Sequence, residues 1–373
     1  FPLLDEDREG GGRTPGSGML VQLMRHRLVP LAVAGLAAAS LAGSKLAEPE
    51  PASSRAAAPE HARPVTIAAT GDIAMIEGPS EAYFARVRPY LKGGVVLGNL
   101  EGTLTSRGSS KCGSGSSNCF AFRAPPAYAG LLRRSGFTVM NLANNHAYDF
   151  GSIGLLDTVR ALDGAGLAHT GRPGEIALVR AGSTRIAVVG FAPYAWAQSL
   201  LDIQAAQSLV RRAVERADLV IVTFHGGAEG SDQTHVRPAT EYFLGENRGN
   251  LVAFSHAVVD AGADLVVGHG PHVLRGMEWY RGRLIAYSMG NFLGYRTFNT
   301  SGVLALTGVL QVTLRSNGSW VRGKLVPLHM VDGGIPAYDP AEATHGFVRE
   351  LSRRDFGRRG MRLSYTGVLK PPR

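Results

Sequence analysis

Apolar runs of strand length recur along this chain, and most of them stop at a group of polar residues that would pack badly in a core. Residues 65–69, 137–142, 186–190, 219–223, 265–267 and 284–287 are such runs, and 94–97 is a shorter one. Short runs rich in Val, Ile and Leu read as buried strands. Residues with helical spacing fill the intervals at 81–91, 126–135, 152–166, 204–217 and 251–261. In the third of these, Leu155, Leu156, Val159 and Leu162 form one stripe, closed by Gly164 and Gly166. Strand and helix alternating at these lengths predict βαβ crossovers, and so an α/β fold with a β-sheet core flanked by helices. Beyond residue 302 the pattern changes. Residues 303–314 and 319–328 predict antiparallel strands near the C-terminus, about a turn at Ser316, Asn317 and Gly318. The expected domain spans 65–335, and 336–373 reads as a basic C-terminal extension.

The chain has 373 residues, 45% hydrophobic and 18% charged, with 48 glycines, which suits a folded α/β protein rich in tight turns. Its net charge is +9, much of it from Arg353, Arg354, Arg358, Arg359 and Arg362. No aromatic-interleaved basic motif accompanies them, so no nucleic acid is expected as partner. An anionic polymer or lipid surface suits the charge as well. Residues 1–18 read as a non-native or upstream segment, and 19–47 as a signal peptide or signal anchor. Arg25, His26 and Arg27 there precede an apolar run at 28–42, with a small-x-small site at 40–42. Residues 48–64 are a Pro/Ala-rich linker. The expected location is therefore extracellular, periplasmic or anchored at the cell envelope. In an exported chain Cys112 and Cys119 are expected to form a local disulfide; two metal-binding thiolates are the alternative.

Ligands of layered α/β folds sit beyond the carboxyl ends of the strands. Asp72, Glu101, Asn145, His225, His269 and His272 all fall there, and the fold should gather them into one crevice. Carboxylate, amide oxygen and imidazole together suit Mn, Fe or Zn, as one ion or two. His146, beside Asn145, could then protonate a leaving group, with Asp149 orienting it. Asn144, Glu229 and Asn291 read as supporting residues around these, although Asn291 could equally form an Asx turn. Blander roles stand beside these: helix caps for Asp72 and Glu101, a core histidine at 225, and a plain Gly-Pro turn around His269 and His272.

Five patches carry a resemblance. They are Thr70-Gly71-Asp72-Ile73, Gly98-Asn99-Leu100-Glu101-Gly102, Asn141-Leu142-Ala143-Asn144-Asn145-His146, Phe224-His225-Gly226-Gly227-Ala228-Glu229, and Gly268-His269-Gly270-Pro271-His272-Val273 running on through Asn291. In this order the chain resembles the CapA-type capsule synthesis proteins linked with poly-γ-glutamate production, a family of the calcineurin-like metallophosphoesterase superfamily. The resemblance implies the layered fold of that superfamily and a divalent metal centre. Three motifs depart from the superfamily pattern. The His of its Asp-x-His is absent after Asp72, its Gly-Asp is Gly98-Asn99, and Pro271 displaces the second His of its Gly-His-x-His. The implied function is a metal-dependent phosphoesterase-type hydrolase of capsule, poly-γ-glutamate or cell-wall polymer synthesis. Its implied partners are an anionic polymer or phosphoester substrate and membrane-bound synthesis machinery. Two alternatives use the same site: a non-catalytic accessory protein that binds or guides the polymer, and a γ-glutamyl amide hydrolase.

Overall fold

The computed structural model describes residues 63–113 and 119–373. The segments 1–18 and 19–47, and all but the last two residues of the linker 48–64, lie outside the described residues.

Two mixed β-sheets, of ten and six strands, lie face to face with helices on both outer sides. The larger sheet contains β1 (Val65–Ile73), β2 (Val95–Leu100) and β3 (Val139–Asn141). The smaller contains β4 (Leu219–His225) and β5 (Leu265–His269). The chain then returns to the larger sheet with β6 (Asn291–Leu293). The layering follows from the two-residue period of a strand. Val65, Ile67 and Ala69 of β1 share a core with Ile221 of β4 and Val267 of β5, between the sheets. Ala68, on the opposite face, packs with Leu131 and Leu132 of α1 (Tyr128–Ser135) and Val159 and Leu162 of α2 (Gly151–Gly164). On the far side of the smaller sheet, Val220, Val222 and Val266 meet α3 (Ile203–Arg216) and α4 (Leu251–Asp260). Asp202 and Asn250 cap these two helices, accepting from the backbone N–H groups of Ala205 and Ala253. Among the described residues no helix is long and apolar enough to cross a membrane.

The α/β class and the antiparallel C-terminal strands are both present; Leu306–Leu314 pairs with Trp320–Val331. Two local expectations fail. Residues 81–91 form no α-helix, only short 3-10 turns at Ser80–Ala82 and Arg88–Tyr90. Pro89 lacks the N–H that a continuing helix needs. The helical spacing reflected burial alone, for Tyr83, Phe84, Val87 and Leu91 are all core residues. The C-terminal residues are also not an appendage. In α5 (Ala343–Phe356), Val348 joins the core between the sheets, and Leu363 and Leu369 follow it there. The strands Arg362–Leu363 and Val368–Lys370 extend the larger sheet. The arginine density of this segment had hidden its apolar positions.

One ion-pair knot ties the end of α2 to the edge of the larger sheet. His169 places Nδ1 2.9 Å from Glu175 and Nε2 3.1 Å from Asp163, and Arg172 reaches Glu175 at 2.7 Å. Burial would raise the Glu175 carboxyl, but His169 and Arg172 hold it down at about 2, against an ordinary 4.5. A carboxylate lowered in the folded state stabilises above its ordinary value, and that stability drains as pH falls through the folded value. The melting temperature of the wild type is therefore expected to fall more steeply than that of Glu175→Gln between about pH 4.5 and 2. Thermal melts of both proteins across that range are the check; parallel slopes would refute it.

Candidate metal centre

The strands end in register. Asp72 of β1 pairs across to Asn99 of β2 and to Asn291 of β6; Asn99 pairs to Asn141 of β3, and His225 of β4 pairs to His269 of β5. The carboxyl ends of the two sheets meet here, since His225 Nδ1 lies 4.0 Å from Asp72 Oδ1. Side chains at two of the glycines would break the approach. A Cβ on Gly71 would fall 2.0 Å from the Gly290 carbonyl, and Gly270 holds φ at +116° against Gly226. His272 itself sits at φ 61°, a left-handed conformation that costs a residue with a side chain about 1–2 kcal/mol. Such strain persists where surrounding contacts over-determine it.

Asp72 presents its two oxygens to different partners. Oδ1 lies 3.3 Å from His269 Nδ1 and accepts from Asn99 Nδ2 at 2.8 Å. Oδ2 lies 3.3 Å from His272 Nδ1, which also meets Asn291 Oδ1 at 2.9 Å. Asn291 Nδ2 donates to the Leu304 carbonyl, so its Oδ1 is the atom facing His272. The ring therefore carries its proton on Nδ1. Its Nε2 is left 3.6 Å from both Glu101 Oε1 and Glu229 Oε2. Asp72, Glu101 and His272 can offer ligand atoms all within 4.8 Å of one another.

Asp72, Glu101, His225 and His269 are fully buried. Among the described residues, neither Glu101 oxygen, Asp72 Oδ2, Asn145 Oδ1, His225 Nε2 nor His269 Nε2 makes a hydrogen bond. A buried polar atom without a partner costs about 1–3 kcal/mol, and so many around one space would not be tolerated idly. Oxygen and imidazole donors converging in this way fit a divalent cation of the Mn, Fe or Zn kind. The protonation of the site agrees. Burial pushes the Glu101 carboxyl well above the carboxylate range. Burial would raise Asp72 as well, but His269 and His272 hold it well below that range. Burial would lower His272, yet Glu101 and Asp72 push it up to about 10. A proton on His272 thus does the work a cation would do, and cation binding would displace it.

His146 stands beside this group. Its Nδ1 is 2.8 Å from Asp149 Oδ2, and its Nε2 points toward Glu101 Oε1 at 3.9 Å. Asp149 is held from both ends of the Cys112–Cys119 disulfide loop: Lys111 Nζ is 2.6 Å from Oδ1, and the Phe122 N–H donates to Oδ2 at 2.6 Å. The Phe122 ring lies against the imidazole with centroids 4.3 Å apart. Burial lowers His146 against the pull of Asp149 and leaves the ring neutral near pH 7, with the Nε2 lone pair facing the site.

The structure brings Asp72, Glu101, His225, His269, His272 and Glu229 into one cluster, with Asn291 behind His272. Asn145 sits in the cavity wall, its Oδ1 unbonded, next to Lys111. Asn144 lies behind the Asp72–Glu101–His272 group rather than in it. Its Oδ1 accepts from the His146 N–H and its Nδ2 donates to Asn99 Oδ1 and the Leu100 carbonyl. Sequence reasoning missed Lys111, Phe122 and Arg248. Arg248, almost fully buried, donates to Glu229 at 2.6 Å from a hairpin strand, Glu246–Gly249, with no local signal to mark it. Two cavity lobes of roughly 330 and 430 Å³ meet at Phe120, His146, Glu229 and Phe243.

Residues 66–296 match the family model described as "Bacterial capsule synthesis protein PGA_cap". The chain is 30% identical over 292 residues to the capsule biosynthesis protein CapA of Bacillus anthracis, covering 72% of this chain and 66% of that one. It is 31% identical over 278 residues to a Mycobacterium tuberculosis protein named "Probable polyglutamine synthesis accessory protein", covering 63% of this chain and 66% of that one. The chain thus spans just under two thirds of the length of these relatives. Among solved structures, a 5'-nucleotidase precursor from Thermus thermophilus aligns with TM-score 0.41 and 15% identity, over 75% of this chain and 57% of that one.

Proposed function

Because this chain belongs to the bacterial capsule synthesis protein family, we propose that it is an exported, metal-dependent hydrolase serving the synthesis of an anionic envelope polymer of the polyglutamate kind. One observation carries the catalytic part: Asp72, Glu101 and His272 converge within 4.8 Å, surrounded by buried donor atoms that nothing among the described residues satisfies. These three, with Glu229 in reach, would hold a divalent cation, which when bound supplies Lewis-acid polarisation of a phosphoryl or carbonyl oxygen and a more acidic water. His225 and His269 flank the far oxygen of Asp72 and keep it oriented. His146, steadied by Asp149, is the group that takes up or gives a proton at Nε2. The bond cleaved is taken to be a phosphoester, with a γ-glutamyl amide as the related possibility. Metal analysis of the purified protein tests this, together with hydrolysis of a chromogenic phosphodiester and a γ-glutamyl anilide under added Mn, Fe or Zn. Absence of both bound metal and hydrolysis would sink the proposal.

A second reading is a non-catalytic accessory that binds the polymer. The accessory role for which the mycobacterial relative is named favours it, as does the missing histidine after Asp72. Restoration of capsule or wall polymer by a His146→Ala chain in a deletion strain would support this reading over hydrolysis.

A further inference from the structure

We infer that the Asn99 side chain limits this centre to one divalent cation, seated on the Glu101–His272 side of Asp72. The inference rests on the metal-centre reading above.

Which way an amide points is decided by its neighbours, and here the chain of neighbours ends on backbone groups whose polarity is not in question. The Ala143 N–H donates to Asn141 Oδ1 at 3.1 Å, so Asn141 Nδ2 faces Asn99 Oδ1, 2.9 Å away. The His146 N–H donates to Asn144 Oδ1 at 3.1 Å, so Asn144 Nδ2 also faces Asn99 Oδ1, at 3.1 Å. Gly190 presses on Asn141 so closely that a Cβ there would fall 2.1 Å from its Oδ1. With two amide donors on its oxygen, Asn99 must turn its NH₂ the other way. That NH₂ lies 2.8 Å from Asp72 Oδ1 and 3.2 Å from His225 Nδ1, and its two hydrogens serve both.

This has a direct consequence for cations. The space between Asp72 Oδ1, His225 Nδ1 and His269 Nδ1 would otherwise be a second set of donors, with the two imidazoles 4.0 and 3.3 Å from the oxygen. Asn99 aims the positive end of its amide into that space. It also uses the lone pair of His225 Nδ1 as a hydrogen-bond acceptor, which keeps that atom from a metal. On the other side, Asp72 Oδ2 and both Glu101 oxygens accept no hydrogen bond among the described residues, and His272 Nε2 lies 3.6 Å from Glu101 Oε1. An aspartate at 99 would keep the contacts to Asn141 and Asn144 through one oxygen and place the other against Asp72. Two carboxylates in that position call for a cation between them.

The experiment uses the full chain, stripped by chelation, reloaded with Mn(II) and dialysed to equilibrium. Metal content per chain and the electron paramagnetic resonance spectrum are read for the wild type and for Asn99→Asp. One manganese per chain with the spectrum of an isolated ion is expected for the wild type, and two with a spin-coupled signal for Asn99→Asp. A wild type that takes two coupled ions overturns the inference without any variant, as does a folded Asn99→Asp that still takes one. A wild type that takes none overturns the metal-centre reading itself, and the inference with it.

Discussion

Asp72→Ala is expected to lose the cation altogether, while Asp72→Asn keeps the fold and loses the cation too. Asp72 is the residue on which both sets of imidazoles converge, with His269 and His272 each 3.3 Å from one of its oxygens. Residues that merely orient a ligand change metal affinity by about 10–100-fold, so removal of a ligand at the centre of the cluster should exceed the top of that range. Both variants leave His272 without its carboxylate, and the alanine variant also removes the oxygens that accept from Asn99 and face His272. Breaking a buried charge pair from one side costs roughly 3–5 kcal/mol. Isothermal titration with Mn(II) and metal-free thermal melts separate the effects: both variants should bind no metal, and Asp72→Ala should melt well below Asp72→Asn. Retention of full metal affinity by either would remove Asp72 from the centre.

His146→Ala is expected to leave metal content unchanged and to lower turnover by about 10²–10⁴-fold, the usual range for a lost general acid or base. The sign of the pH dependence identifies which it is. Burial lowers the imidazole from its ordinary 6.5. If Nε2 gives up a proton to the leaving group, only the protonated ring works, and the rate falls as pH rises through a value below 6.5. If Nε2 takes a proton from water, the rate falls instead as pH drops through that value. The His146→Ala profile should lack this limb in either case. A variant with unchanged turnover would remove His146 from the proton transfer.

Much of this centre could be read from the order of residues. A buried strand that stops at Asp, Asn or His is spending a core position on chemistry, and Asp72, Glu101, His225, His269 and His272 were all visible in that way. The helix expected over 81–91 was wrong because burial at helical spacing is satisfied equally by two short 3-10 turns, and Pro89 forbids more. The C-terminal segment looked like a solvated basic tail because arginines outnumber the positions, such as Val348 and Leu369, that enter the core. Asn99 stood out only as a departure from a motif. Its use of both amide ends, one to hold Asp72 and one to receive Asn141 and Asn144, could not be seen without the fold.

The sequence alone determined the alternation of strand and helix, the carboxylates and imidazoles at strand ends, and the Asn144–Asp149 loop, because periodicity and residue type are local properties. Orientation was left to the tertiary structure. Which oxygen of Asp72 faces His269 and which faces His272, and where the proton of His272 resides, are set by partners distant in the chain. So are the support of Asp149 by Lys111 and Phe122 and the direction of the Asn99 amide. Hydrogen-bond direction is a property of the whole network, closed only when its ends reach backbone groups with fixed polarity, and that closure needs the folded chain.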